Sequence, residues 1–163
     1  MKKSVVLTIL IIYILAIVVV GFIGIALKVY DEKKYVEEIK CISDNYIDEP
    51  VYNEKGEVIY DGTIEVKKKT NPDLTVVIKC RALPADATNT KLKISVSDKG
   101  YDVDNPPEDT SGYEFWYRDN GDGTWTIKLL KEKSQTITIL PTDKVGVKLK
   151  IRIEIKKSGS DIF

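Results

Sequence analysis

The chain has 163 residues, which is enough for one ordinary domain and an additional segment. Basic and acidic residues balance at 25 each and are mixed along the chain, so we do not expect the clustered positive surface that binds nucleic acid. Histidine, the commonest general base and transition-metal ligand, does not occur. We therefore predict a protein that is not an enzyme, has no catalytic residues, needs no cofactor and binds no nucleic acid.

Residues 4–27 form an apolar run without a charged side chain. A helix needs about 20 such residues to cross the hydrocarbon core of a bilayer. The run is longer than the ~7–15 apolar residues of a cleaved signal peptide, and large apolar residues surround its small ones. We predict that residues 1–27 are a transmembrane signal anchor held in the lipid bilayer. A cleaved signal peptide is the alternative.

The charges on either side of this run bear on its direction through the membrane. Lys2 and Lys3 precede it, and lysines mixed with acidic residues follow it, so the lysine counts nearly tie under the positive-inside rule. A short basic tail beside the first apolar segment normally stays in the cytoplasm. We therefore predict a single-pass protein of the cell membrane whose C-terminal domain is extracytoplasmic.

Residues 28–46 connect the apolar run to the rest of the chain and contain neither glycine nor proline. Val29, Val36, Ile39 and Ile42 lie close to helical spacing. This pattern predicts a short helical juxtamembrane stalk, which the polar residues 43–45 and then Pro50 would end.

Residues 47–157 show the period-two alternation of β-strands, which places one face in a core and the other in water. Residues 53–56 form a turn with Gly56 where a positive φ is expected. About seven or eight short strands separated by turn signals predict an antiparallel β-sandwich, with residues 158–163 as a flexible tail. The predicted inward faces are Leu74/Val76/Ile78/Cys80, Leu92/Ile94/Val96, Tyr113/Phe115/Tyr117, Trp125/Ile127/Leu129, Ile137/Ile139 and Val145/Val147/Leu149/Ile151/Ile153/Ile155.

Two stretches carry a family resemblance. Residues 83–89, Leu-Pro-Ala-Asp-Ala-Thr-Asn, with the strand 91–97 and Asp98 after them, resemble bacterial Ig-like domains of the group 2 type. Residues 118–127, Arg-Asp-Asn-Gly-Asp-Gly-Thr-Trp-Thr-Ile, resemble a hairpin of filamin-like and invasin-like Ig repeats. The resemblance implies that the β-sandwich is Ig-like, an all-β domain used outside the cell for adhesion, spacing or protein contact.

Two acidic stretches are candidate calcium sites, because calcium prefers carboxylate and carbonyl oxygens. The first contains Asp119 and Asp122, but its Asn-Gly and Asp-Gly pairs are also the residues that a tight hairpin turn needs. The second is a loop that contains Asp98, Asp102, Asp104 and Asp109. Solvated loop carboxylates, or a contact surface for a partner, are the alternatives for this loop.

Cys41 and Cys80 are the two cysteines of the chain. In an oxidising compartment they could form a disulfide, which would close a loop of about 40 residues and stabilise the fold by roughly 3–4 kcal/mol. The alternative is that Cys80 faces the core as a free thiol while Cys41 lies in the predicted stalk. Their number and spacing do not indicate a metal site.

These features predict a non-catalytic, membrane-anchored protein that presents an Ig-like domain to a protein partner or to another copy of itself in the cell envelope. The segment 145–156 would recruit a partner strand if it lay at a sheet edge. Two alternatives remain at this stage: a subunit of a larger membrane, surface-filament or secretion assembly, and a calcium- or solute-binding domain.

Overall fold

The computed structural model of the protein describes residues 3–29, 33–143 and 146–156. The chain divides into two compact units, Met1–Lys33 and Lys34–Phe163. The first contains one α-helix, α1 (Lys3–Val29). Within it the 21 residues Ser4–Gly24 are long and apolar enough to cross a membrane, and none of this span is buried. A signal sequence near the N-terminus can meet the same criteria of length and hydropathy, so the helix shows a segment compatible with a membrane.

The second unit is built from β-strands. In chain order they are β1 (Glu38–Cys41), β2 (Tyr46–Ile47), β3 (Val51–Tyr52), β4 (Val58–Tyr60), β5 (Gly62–Lys67), β6 (Thr75–Leu83), β7 (Leu92–Ser95), β8 (Gly100–Asp102), β9 (Phe115–Gly121), β10 (Thr124–Leu129), β11 (Gln135–Pro141) and β12 (Leu149–Lys156). Sheet I has the strand order β1-β6-β10-β9-β8, and sheet II has the order β2-β5-β12-β11-β7. Strands β3 and β4 form a separate hairpin.

Sheets I and II bury one common core, to which both contribute the apolar face of their alternating strands. Sheet I supplies aromatic and aliphatic side chains, and sheet II supplies mainly isoleucines. The side chains with no measurable exposure are Ile64, Ile78, Phe115, Trp125, Ile127, Ile137, Ile139, Ile151 and Ile153. The predicted all-β character of the domain is confirmed. The inward direction of these positions is confirmed too, apart from Ile64, which is not among the predicted inward faces.

The prediction of an antiparallel sandwich with seven or eight strands is wrong in two respects. Sheets I and II together contain more strands than that, and both sheets are mixed. Strand β12 pairs in parallel with β5, so that Ile153 lies opposite Ile64, and β8 pairs in parallel with β9. Alternation shows that one face of a strand is wet, but it does not reveal the direction of the neighbouring strand, which depends on the path of the connection.

The predicted helical stalk over residues 28–46 is also wrong. Helix α1 ends at Val29, and the described residues 33–46 contain strand β1, a turn at residues 44–45 and the first residue of β2, with no helix among them. The free edge of β6 supplies hydrogen-bond partners, since the Glu37 amide donates to the Leu83 carbonyl and the Ile42 amide to the Lys79 carbonyl, both at 2.8 Å. Burial follows a strand rather than a helix, because Ile39 and Cys41 are buried while Ile42 is 38% exposed.

The C-terminal strand does not have the edge position that its proposed role required. Strand β12 has β5 on one side and β11 on the other, so its backbone hydrogen bonds are already used within sheet II. Val145 and the predicted tail over residues 158–163 lie outside the described residues. The edges of the two sheets are instead formed by β1 and β8 and by β2 and β7.

Both predicted hairpin turns are confirmed. Strands β3 and β4 are antiparallel, and Gly56 between them has a φ of 76°. Strands β9 and β10 are antiparallel, and Gly121, Asp122 and Gly123 between them have φ values of 79°, 52° and 70°. Positive φ is nearly free for glycine, which explains why the sequence places glycines there.

Gly123 has a second constraint that Gly121 does not share. A Cβ atom on Gly123 would collide with the backbone carbonyl of Cys80, whereas a Cβ on Gly121 would meet no atom within 4 Å. We expect Gly123→Ala to lower the free energy of unfolding by about 3–4 kcal/mol, from strain at positive φ plus overpacking. Gly121→Ala should cost only about 1–2 kcal/mol, from strain alone. Urea unfolding of both variants measures the difference, and equal losses would contradict the predicted contact.

Candidate functional site

The acidic loop between β7 and β9 uses its carboxylates to stabilise its own turns. Asp102 Oδ1 accepts the Asp104 amide at 3.0 Å, and its Oδ2 accepts the side-chain amide of Asn105 at 3.1 Å. Asp104 Oδ1 accepts a hydrogen bond from Arg118 Nε at 3.1 Å. The carboxylates of this loop are therefore held by turn and ion-pair contacts within the protein.

Among the remaining candidates for calcium binding, Asp109 and Asp119 show the same local behaviour. Asp109 accepts the Ser111 amide at 2.8 Å, and this backbone hydrogen bond lowers the pKa of the Asp109 carboxyl. Asp119 accepts the Gly121 amide at 2.9 Å, Asp122 occupies a positive-φ turn position, and Asp98 is exposed. Across residues 3–29, 33–143 and 146–156, no three acidic or cysteine side chains are grouped closely enough to hold a metal ion.

The two cysteines are brought together, although no sequence pattern placed them on neighbouring elements. Cys41 on β1 lies directly opposite Cys80 on β6 in the antiparallel register. Both side chains face the core, with exposed fractions of 7% and 3%, and neither is in a disulfide. Cys41 lies on strand β1 and not in the predicted helical stalk, and this position brings it beside Cys80.

The surroundings of the two thiols make them chemically unequal. A hydrogen bond from Cys80, with further hydrogen bonding from Ser43, lowers the pKa of the Cys41 thiol to about 6 against the opposing effect of burial. The same Cys41–Cys80 contact, together with burial, raises the pKa of Cys80. Ser43 Oγ lies 3.4 Å from Cys41 Sγ and also accepts the Lys79 amide at 2.9 Å. Cys41 is thus the thiol of the pair that ionises more readily.

A cavity of about 350 Å³ reaches Cys41 from the surface. Its lining includes Cys41, Tyr46, Asp48 and Asp61. Cys80 is the residue opposite Cys41 on the neighbouring strand β6. The Tyr46 hydroxyl is buried without a hydrogen-bond partner among the described residues, and burial raises the pKa of this phenol. Cys41 therefore lines this cavity, whereas Cys80 does not.

The β3–β4 hairpin exposes a group of apolar side chains that the sequence patterns did not single out. Val51 and Val58 are 37% exposed, Ile59 is 45% exposed and Tyr52 is 56% exposed. We call these four residues the hairpin patch. The short apolar segments on either side of the turn at residues 53–56 are the sequence signal for this patch. A two-stranded hairpin outside both sheets has no core of its own to cover such side chains.

The hairpin is well formed in spite of its exposure. At the turn, Asn53 Oδ1 accepts the amides of Lys55 and Glu57, each at 2.9 Å. At its base, Asp61 accepts the Lys150 amide at 2.7 Å, and the Arg152 guanidinium lies 5.4 Å from the centre of the Tyr60 ring. The hairpin patch is therefore held on a defined backbone attached to β12.

No family model and no curated protein matches the chain. Among solved structures, domains 4 and 5 of the S-layer protein SbsC are similar at 15% identity with a TM-score of 0.22, over 74% of this chain and 98% of that one. A structure of SbsC domains 1–6 is similar at 16% identity with a TM-score of 0.22, over 78% of this chain and 29% of that one.

Proposed function

We propose that this protein is a non-catalytic, single-pass membrane protein that presents an Ig-like β domain to a protein partner in the cell envelope. The observation that carries the proposal is the organisation of the chain in two units, an uncharged apolar helix and a separate β domain with its own core. An uncharged helix of this length that stays uncleaved would hold the β domain at a membrane surface.

Two features support an Ig-like assignment for the β domain. Its two sheets enclose one core, and the Asp-Asn-Gly-Asp-Gly segment forms the tight hairpin between β9 and β10 that the family resemblance implies. The domain differs from a purely antiparallel sandwich in two strand pairs. Strand β5 is parallel to β12, and β8 is parallel to β9. The fold supports a role in spacing or contact and does not specify the partner.

The hairpin patch is the surface that we assign to partner contact. It combines exposed aliphatic groups with a tyrosine, and tyrosine is enriched in protein interfaces because one end is apolar and the other polar. Because the turn and base of the hairpin are already hydrogen-bonded, binding would order little additional backbone. The expected occupant is the apolar surface of another envelope protein.

Site-specific photo-cross-linking in intact membranes tests this assignment. A benzophenone side chain at Tyr52 should give a discrete cross-linked protein species. The control is the same probe at Lys93, an exposed position on β7 at the opposite edge of sheet II from β2. Cross-linking to lipid alone from Tyr52, or equal protein cross-linking from Lys93, would contradict the assignment.

A further inference from the structure

Cys41 and Cys80 lie opposite each other on neighbouring strands. At this spacing a disulfide can join them without movement of the backbone. The Cys80 amide donates to the Gly123 carbonyl at 2.9 Å, on the β10 side, so it does not point toward β1. Cys41 and Cys80 are therefore a non-hydrogen-bonded antiparallel pair, in which the Cα atoms lie about 4.5 Å apart. Disulfides accept Cα separations of about 4.4–6.8 Å. Both thiols also lie on the same face of sheet I.

We propose that Cys41 and Cys80 are a disulfide-forming pair, oxidised by exchange with an external disulfide and closing a covalent link between β1 and β6. The two residues lie directly opposite each other in the register of β1 and β6, and both side chains are buried. This inference does not depend on the membrane orientation or on the protein partner, because it rests only on contacts within the β domain.

The exchange proceeds in two balanced steps. The Cys41 thiolate attacks one sulfur of the external disulfide through the cavity, forming a mixed disulfide and releasing one thiolate. The Cys80 thiol then passes its proton to the released thiolate, and Cys80 sulfur attacks Cys41 sulfur and displaces the second thiolate, which takes a proton from solvent. Two protein thiols are oxidised to one disulfide, and the external disulfide is reduced to two thiols. The lowered pKa of Cys41 and its place on the cavity make it the attacking group.

The position of the link gives it a structural consequence. Strand β1 lies at the edge of sheet I and pairs there with β6. It is also the first strand after the membrane-compatible helix. A disulfide at Cys41, the last residue of β1, would link the first strand of the β domain covalently to β6. Reduction would leave β1 held by backbone hydrogen bonds and by its buried side chains.

The test is thiol counting on the purified full chain in detergent. After equilibration with a mixture of oxidised and reduced glutathione, the protein is acid-quenched, denatured and alkylated, and its mass is measured. We expect no alkylated cysteine and a proteolytic peptide that links Cys41 to Cys80, with both thiols alkylated after reduction. The oxidised chain should melt about 10 °C above the reduced chain, whereas the double variant Cys41→Ser/Cys80→Ser should melt identically in both buffers.

Three outcomes would overturn the proposal. The first is two alkylated cysteines after oxidation, the second is glutathione retained on Cys41 without a bond to Cys80, and the third is a disulfide between two chains. The single variant Cys80→Ser supplies a check on the order of the steps, because it should stop at the mixed disulfide on Cys41. Folding of each variant is monitored by circular dichroism, so a loss of structure is not mistaken for a loss of reactivity.

Discussion

Replacing Trp125 with alanine should lower the free energy of unfolding by about 3–5 kcal/mol. Trp125 has no measurable exposure and lies on β10, the central strand of sheet I. Its removal would leave the largest void that a single truncation can make in the shared core. Because a domain is typically stable by only about 5–15 kcal/mol, this variant should be partly unfolded at moderate urea concentrations.

The matched control is Trp125→Phe. The indole Nε1 is buried without a hydrogen-bond partner among the described residues, so phenylalanine loses no hydrogen bond and gives up only part of the packing. The expected cost is about 1–2 kcal/mol. Urea unfolding followed by circular dichroism measures both variants. If both variants lost the same free energy of unfolding, the contribution of Trp125 would come from its polar indole edge and not from the volume that its side chain fills.

Placing three lysines in the middle of α1 should release the chain from membranes. The chosen positions are Ile12, Leu15 and Val18, which lie inside the span Ser4–Gly24. A lysine at the centre of a membrane helix costs about 2.5–3.5 kcal/mol on insertion scales, and an apolar residue there contributes about 0.3–0.6 kcal/mol. Three charges therefore oppose insertion by roughly as much as the whole apolar run favours it.

The triple alanine variant at the same positions is the control, because it keeps the helix uncharged and of equal length. Carbonate extraction of membranes should leave the alanine variant in the pellet and move the lysine variant into the supernatant. The β domain of the released chain should retain its circular dichroism spectrum, since Lys34–Phe163 is a separate compact unit. Retention of the lysine variant in the pellet would mean that another part of the chain holds it there.

The sequence patterns predicted most of the strands and their buried faces, because alternation and turn residues are local properties. Trp125 and Ile127 could be assigned to the core from their spacing alone, and both are fully buried. Gly56 and Gly121 could be assigned to turns because positive φ restricts the choice of residue, and both have that conformation. Helix α1 followed from the length of the uncharged run.

What the sequence could not reveal depends on contacts between distant segments. Strand β1 has the composition of a short helix, and it becomes a strand because β6 offers it a hydrogen-bonding edge. The same misassignment placed Cys41 in a stalk, so its cross-strand register with Cys80 could not be predicted. The central place of β12 beside β5 likewise depends on chain path, which a period-two pattern does not encode. The candidate calcium residues were recognisable as acidic loops, but their hydrogen bonds within the turns were not.

The most direct test of the account is the sidedness of the β domain in intact cells, measured with a membrane-impermeant maleimide. In a Cys41→Ser/Cys80→Ser background, single cysteines are introduced at Lys93, which is exposed on β7, and at Lys2, before α1. We predict labelling of the Lys93→Cys chain in intact cells, labelling of the Lys2→Cys chain only after permeabilisation, and an uncleaved mass for both. Labelling of Lys2→Cys with protection of Lys93→Cys, or loss of the N-terminal segment, would contradict a membrane-anchored domain displayed outside the cytoplasm.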